Sequence, residues 1–240
     1  MVIGNRLVGG ISAVGICSRV LARRNIKVGD KILMTEGAGG GTITTTAIYS
    51  GNHHIVKETM NIKFLESCDI ILNSEYLDEI HAMCDVTNGG LRGDLYEINY
   101  EAKCGVNIFE EKVRNLVNPN VLNMLERVGV DYLGVSLDAL LIYCSESTTD
   151  DIITDLRREN INCDEIGYVD DSNQVCMTYK GKKTKDILPK FRESAYTKIK
   201  QEIGEEIPES IENMEKSIQK AALQALEKRK KIIGFIKKEE

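Results

Sequence analysis

Asp85-Val86-Thr87-Asn88-Gly89-Gly90-Leu91-Arg92-Gly93-Asp94-Leu95 stands where two kinds of pattern meet. Residues 80–84 ahead of it read as a strand or a loop run, and residues 91–102 behind it read as a helix. Two adjacent glycines at such a junction let the backbone approach a ligand closely, or take positive φ, without a Cβ clash. Asp85, Thr87 and Asn88 place short oxygen-bearing side chains just ahead of the helix start, whose free N–H groups attract anions. The plainer reading is an ordinary helix start, with Asn88 or Thr87 as N-cap and the glycines in a tight turn. A second glycine-rich turn upstream shifts the balance toward a ligand.

That turn follows Lys31-Ile32-Leu33-Met34-Thr35, a short apolar run with a turn on either side, which predicts a buried strand. Glu36-Gly37-Ala38-Gly39-Gly40-Gly41-Thr42 comes next, and residues 43–49 predict a helix. Strand, glycine turn and helix in that order present backbone N–H groups to a phosphate or carboxylate. No Gly-Lys-Ser/Thr closes the turn, so it is not a Walker motif, and its spacing does not fit the dinucleotide fingerprint. A flexible surface turn is the plainer reading here. Against it, four glycines in the five positions 37–41 carry an entropy cost.

The chain has 240 residues, enough for one large domain and an appendage. With 42% hydrophobic and 28% charged residues it has the composition of a globular protein. No apolar run approaches the roughly 18 residues of a membrane span, and the start lacks a signal-peptide pattern, so a cytoplasmic protein is expected. A net charge of −6 argues against a general nucleic-acid binder, which needs a basic face. Seven scattered cysteines without a Cys-x-x-Cys pair read as reduced thiols. His54 and Glu58 have the i, i+4 spacing of two helix-borne metal ligands, but a third ligand is missing and no metal site is assigned.

Further along, residues 65–73 predict a helix followed by a short extended piece, 105–108 a strand, and 110–116 and 120–128 helices, with Pro119 starting the second. Residues 131–136 predict a turn and a short strand, and 138–144 a near-continuous apolar strand of central character. Ser147-Thr148-Thr149-Asp150 predicts the cap of a helix over 151–159 whose Ile152, Ile153 and Leu156 share a face. Residues 163–169 and 174–179 predict a hairpin across Asp170-Asp171-Ser172-Asn173. In the tail, Ile207, Ile211, Met214, Ile218, Ala221, Ala225 and Ile232 recur at helical spacing, a stripe long enough to pair with another subunit.

Ile80-His81-Ala82-Met83 followed by Asp85-Val86-Thr87-Asn88-Gly89-Gly90-Leu91 resembles the signature of the C-terminal domain of the aminoimidazole ribonucleotide (AIR) synthetase superfamily. The hydrogenase maturation branch is the most similar, with an Ile-His-Ala-Met run before Asp-x-Thr-x-Gly-Gly-Leu. The resemblance runs from Gly29-Asp30-Lys31-Ile32 through Gly134-Val135-Ser136-Leu137-Asp138-Ala139-Leu140-Leu141 to Ile166-Gly167-Tyr168-Val169. It implies a three-layer α/β/α domain with a mixed sheet over residues 1–190 (core match 29–188); the helical extension that the apolar spacing predicts over 191–240 has no counterpart in the family. It also implies ATP and Mg as the cofactors of the complete unit, with the glycine turns lining a cleft closed by an ATP-binding N-terminal domain. Nothing before Gly29 resembles that N-terminal domain, the cysteine that ends hydrogenase maturation members is not matched, and Asp138 stands where the family prefers glycine.

The expected function is therefore the substrate-side domain of an ATP-dependent phosphoryl-transfer family, acting with a separate N-terminal partner and with no nucleic acid or membrane. The alternative is a stand-alone, catalytically inactive anion- or nucleotide-binding module or oligomeric scaffold. The candidate site residues are Asp85, Thr87, Asn88, Gly89 and Gly90, with Gly37, Gly39, Gly40 and Gly41 as the second group. A homo-oligomer through the C-terminal helix is expected, and no catalytic residue is assigned.

Overall fold

The computed structural model describes residues 12, 14–17, 19–87, 89–184 and 187–189, and in the tail 216, 219, 220, 223, 224, 226, 227, 230 and 234. In chain order the elements are β1 (Lys31–Thr35), α1 (Gly41–Tyr49), α2 (Lys63–Leu72), β2 (Ile80–Asp85), α3 (Gly90–Ala102), β3 (Gly105–Phe109), α4 (Glu110–Leu116), α5 (Pro119–Arg127), β4 (Leu140–Cys144), α6 (Thr149–Arg158), β5 (Cys163–Asp170), β6 (Val175–Tyr179) and β7 (Lys182–Thr184). The strands form one sheet in the order β2-β4-β1-β5-β3-β6-β7, mixed because β3 and β6 run parallel while the other neighbours are antiparallel.

Strand alternation separates two cores. Ile32, Met34, Leu141 and Tyr143 point to one face with Leu91, Leu95, Val113 and Val121 of the helices, while Leu33, Leu140, Ile142 and Cys144 point to the other with Ile71, Ile152 and Leu156. Helices α1, α3, α4 and α5 thus cover one face and α2 and α6 the other, which is the expected three-layer α/β/α architecture. All five residues of β4 are buried, because β4 lies between β1 and β2 and is covered on both faces. Pro119 occupies the first turn of α5, and the Asn118 side chain accepts from the N–H groups of Asn120 and Val121, as the sequence predicts for that helix start.

Several local expectations are corrected. The run 65–73 is helix to Leu72, with no extended piece. Between 131 and 136 the chain forms a 3-10 turn, Tyr132–Gly134, in place of a strand. The 147–150 segment ends a 3-10 turn, and the N-cap Thr148 makes no side-chain cap; its hydroxyl donates to the Ser145 carbonyl instead. His53–Lys57 is a 3-10 turn, in which i, i+4 side chains do not stack, and the Glu58 carboxylate accepts from the Asn118 and Asn120 side chains.

The predicted 163–179 hairpin does not form: β3 lies between β5 and β6, antiparallel to the first and parallel to the second. The connecting turn straddles the start of β3, with the Val106 N–H donating to the Gln174 carbonyl. Asp170 accepts from Asn107 and Ser172, and it does so over Gly105, where a Cβ would come within 1.8 Å of its Oδ1. The hairpin that does form is β6–β7, turned by Lys180 (φ 47°) and Gly181 (φ 72°). Of the tail stripe, Ile207, Ile211, Met214, Ile218, Ala221, Ala225 and Ile232 lie outside the described residues; the described positions from 216 to 234 are helical and exposed.

Candidate functional site

β1 and β2 are both antiparallel to β4, so they run parallel to each other and their C-terminal ends reach the same edge of the sheet. From that edge spring the two glycine turns, leading into α1 and α3. The stretch 133–139, which feeds β4, runs between them. Gly39 N–H donates to the Leu137 carbonyl at 2.7 Å, Val86 N–H to Ala139 at 3.0 Å and Leu137 N–H to Val86 at 3.2 Å. The Thr35 hydroxyl accepts from Leu140 N–H at 2.9 Å and fixes the start of β4 against the end of β1.

This threading divides the glycines into two groups. A Cβ on Gly37 would lie 2.5 Å from the Leu137 carbonyl oxygen, one on Gly39 2.9 Å from that of Ser136, and one on Gly90 2.5 Å from both Leu133 O and Val135 N. Those three positions serve the close approach of the chain to itself, and Gly37 is further held by backbone bonds to Leu116 and Asn118. Among the described residues, Gly40 and Gly41 have nothing within 4 Å of a built Cβ, and Gly89 has only the Gly93 Cα at 3.5 Å. These three remain open to a ligand at the starts of α1 and α3, whose N-caps Gly40 and Gly89 make no side-chain cap.

Asp85 and Thr87 are exposed at the end of β2, so the sequence-predicted carboxylate and hydroxyl stand at this edge; Asn88 lies outside the described residues. Asp138 joins them with φ 54°, a left-handed backbone that glycine adopts freely and aspartate tolerates. Partial burial raises its carboxyl, and the charge of Asp85 adds to the rise. Among the described residues no group of three or more His, Cys, Asp or Glu side chains is assembled to hold a metal ion. Between α2 and α6, on the other face of the sheet, lies a concavity of about 490 Å³ lined by Glu66, Asp69, Asp155 and Glu159 with Arg158, a set that repels phosphate on balance.

Two groups near the edge escape a reading by motif alone. Asp94, inside the quoted stretch, is buried under the first turns of α3 and pairs through Oδ1 with Arg23 at 3.0 Å. Among the described residues its Oδ2 makes no hydrogen bond of good geometry, although the Thr87 backbone N–H faces the carboxylate and favours its charged form. Burial pushes this carboxyl up to about 7 against the opposing charge of Arg23, with Glu97 and Asp85 adding to the rise. Arg23 also pairs with Glu97, so the segment before β1 is strapped to α3 by one guanidinium. Helical spacing from Leu91 and Leu95 places Asp94 on the inward face, which is the signal that could have found it.

The model of the AIR synthase related protein, C-terminal domain, matches residues 27–180. An uncharacterized protein of Methanocaldococcus jannaschii is 44% identical over 239 residues, covering 99% of this chain and 52% of that protein. Selenide, water dikinase of Pelobacter propionicus is 27% identical over 108 residues, 43% of this chain and 30% of that enzyme. The chain thus spans about half or less of the curated relatives it matches. Among solved structures, the hydrogenase maturation protein HypE in complex with ATP aligns with TM-score 0.51 and 22% identity over 68% of this chain and 51% of that one. A chain of the HypE–HypF complex aligns with TM-score 0.52 and 20% identity over 68% and 54%. At these identities the structural matches establish the shared fold.

Proposed function

The chain belongs to the AIR synthase related protein family through that family's C-terminal domain, and from that premise we propose that it is the substrate-side half of an ATP-dependent phosphoryl-transfer unit. Its nucleotide is held mainly by a separate N-terminal domain. The observation that carries this reading is the convergence of α1 and α3 on one sheet edge, where Gly40, Gly41 and Gly89 leave the helix starts uncovered. Backbone N–H groups and helix dipoles stabilise charge on phosphoryl oxygens.

The described residues do not fit a complete MgATP site. No three-ligand acidic cluster is present among them, and the edge carries the carboxylates Asp85 and Asp138, which repel a triphosphate unless a cation intervenes. Mg²⁺ is commonly held by one or two carboxylates together with phosphate oxygens and water, so most ligands would have to come from the nucleotide and its own domain. The share assigned to this chain is the N–H groups of Gly40, Gly41 and Gly89, with the exposed Asp85 and Thr87 at the same edge and Asn88 of the same motif as a further substrate-binding candidate. Residues 1–190 form the domain that does this, and residues 191–240 are an extension to it. The HypE–HypF complex, in which a protein of this fold meets another protein, supports partnership as a working mode.

Calorimetric titration with MgATP tests the division. The chain alone is expected to give no saturation below millimolar nucleotide. A mixture with the separately expressed remainder of the M. jannaschii relative, the part this chain does not match, is expected to saturate. Micromolar binding by the chain alone overturns the division in favour of a self-sufficient site. A mixture that stays silent overturns it as well.

A further inference from the structure

Helix α2 turns an uncovered apolar face outward. Ile62 at its N-cap, Leu65 and Leu72 are each more than half exposed, and helical spacing sets them on one side together with Asp69. A row of exposed apolar side chains on one helix marks a contact surface. Beside that row runs the groove between α2 and α6. Ile70, Glu66 and Asp69 line it from α2, and Asp155, Arg158 and Glu159 from the last turn of α6. It continues past Tyr76 and Asp151 as a second concavity of about 460 Å³.

The charge of the groove says what fits there. Arg158 already pairs with Asp155 at 2.7 Å, and the Tyr76 hydroxyl donates to the same carboxylate at 3.1 Å. Among the described residues Glu66, Asp151 and Glu159 make no ion pair. An occupant must therefore bring positive charge beside an apolar strip. The tail of this chain has both properties. Residues 216–240 hold eight Lys and Arg against three Glu, in a chain whose net charge is −6. Lys220, Leu223, Leu226 and Lys230 are helical and exposed, and helical spacing sets them on one side, an apolar pair with a lysine at either end. Since those four are exposed in the single chain, they do not cover the groove of their own chain.

We infer that the tail of a second copy docks along α2, with Leu223 and Leu226 against Leu65 and Leu72 and the flanking lysines over the carboxylates of the groove. The exchange is reciprocal: each copy gives a tail and receives one, so the contact closes at a two-fold dimer. Apolar contact supplies the attraction, and the carboxylates select a basic helix and reject an acidic one.

Sedimentation equilibrium of the full chain tests this. The unaltered chain is expected to associate beyond its 26.8 kDa monomer, and more weakly as salt rises. One variant reverses two exposed groove carboxylates, Glu66→Lys with Glu159→Lys, and a second reverses two exposed tail lysines, Lys220→Glu with Lys230→Glu. Each alone is expected to dissociate, its dissociation constant raised on the order of tenfold or more. An equimolar mixture of the two is expected to associate again, because each tail then meets a groove of opposite charge. A role of these residues in folding one chain predicts no recovery on mixing. A monomeric unaltered chain overturns the inference and leaves the groove to a basic segment of another protein. Association that survives both reversals overturns it, as does a mixture of folded variants that stays monomeric. Carbodiimide coupling in a mixture of light and heavy-isotope unaltered copies needs no variant. Mixed-isotope links from Lys220 or Lys230 to Glu66 or Glu159 are expected, and their absence overturns the inference. Neither test uses nucleotide, so both are independent of the reading of the glycine turns.

Discussion

At Gly90 there is no room for a methyl group. Its φ is +59°, and a Cβ would sit 2.5 Å from Leu133 O and Val135 N, both backbone atoms that cannot swing aside. Gly90→Ala is therefore expected to cost about 3 kcal/mol or more, from left-handed strain and overpacking together. Thermal melting would show this as a fall of about 6–12 °C for a domain of this size. Gly41→Ala is the matched control. Gly41 opens α1 with nothing within 4 Å of a built Cβ, so alanine there is expected to leave the melting temperature unchanged or slightly raised. A Gly90→Ala protein as stable as the unaltered one would mean that the 133–139 stretch does not lie against the glycine turn. The glycines themselves were plain in the sequence, but their division was not. What Gly37 and Gly90 touch lies 100 and 43 positions away, at Leu137 and Leu133. No local composition reports that distance.

The strap before β1 and the first turns of α3 meet at Arg23 and Asp94, and the pH dependence of that contact belongs to both elements. An unfolded aspartate titrates near 3.8, whereas burial holds the folded Asp94 carboxyl up to about 7. Between those values the folded chain keeps a proton that the unfolded chain has released. The stability from this group is thus full at acid pH and falls as pH rises through the window, levelling above it. Urea unfolding at about pH 5 and about pH 8 is expected to show that loss, and Asp94→Asn is expected to flatten it. A slope that persists unchanged in the variant would assign it to other groups. The elements themselves were largely legible: β1 and α4 appear with the bounds that apolar runs and helical spacing predict. The 163–179 hairpin was misread because turn residues announce a reversal of direction and say nothing of what lies between the reversed strands. Here β3 lies between them, accommodated by the bare Gly105.

For the molecule as a whole, the open question is what the tail adds to the layered domain. Ile187 is fully buried in the core that α1, α3, α4 and α5 build on the sheet, so a cut after residue 190 keeps that contact. The described tail positions between 216 and 234 are exposed, and two of them, Leu223 and Leu226, are apolar and 63% and 50% exposed. Exposed apolar side chains such as these two gain free energy by finding a partner, at about 25 cal/mol per Å² removed from water. The tail is therefore expected to hold copies of the chain together and to contribute little to the fold of any one copy. Sedimentation equilibrium should give a mass above the 26.8 kDa monomer for the full chain and a monomer for the chain cut after 190. Urea unfolding of the cut chain, followed under conditions where both proteins are monomeric, should keep the midpoint of the full chain. A monomeric full chain would leave Leu223 and Leu226 to a different partner, the separate N-terminal domain being the first to try. A cut chain that loses its midpoint would instead make the tail part of the layered domain, and the division at residue 190 would be wrong.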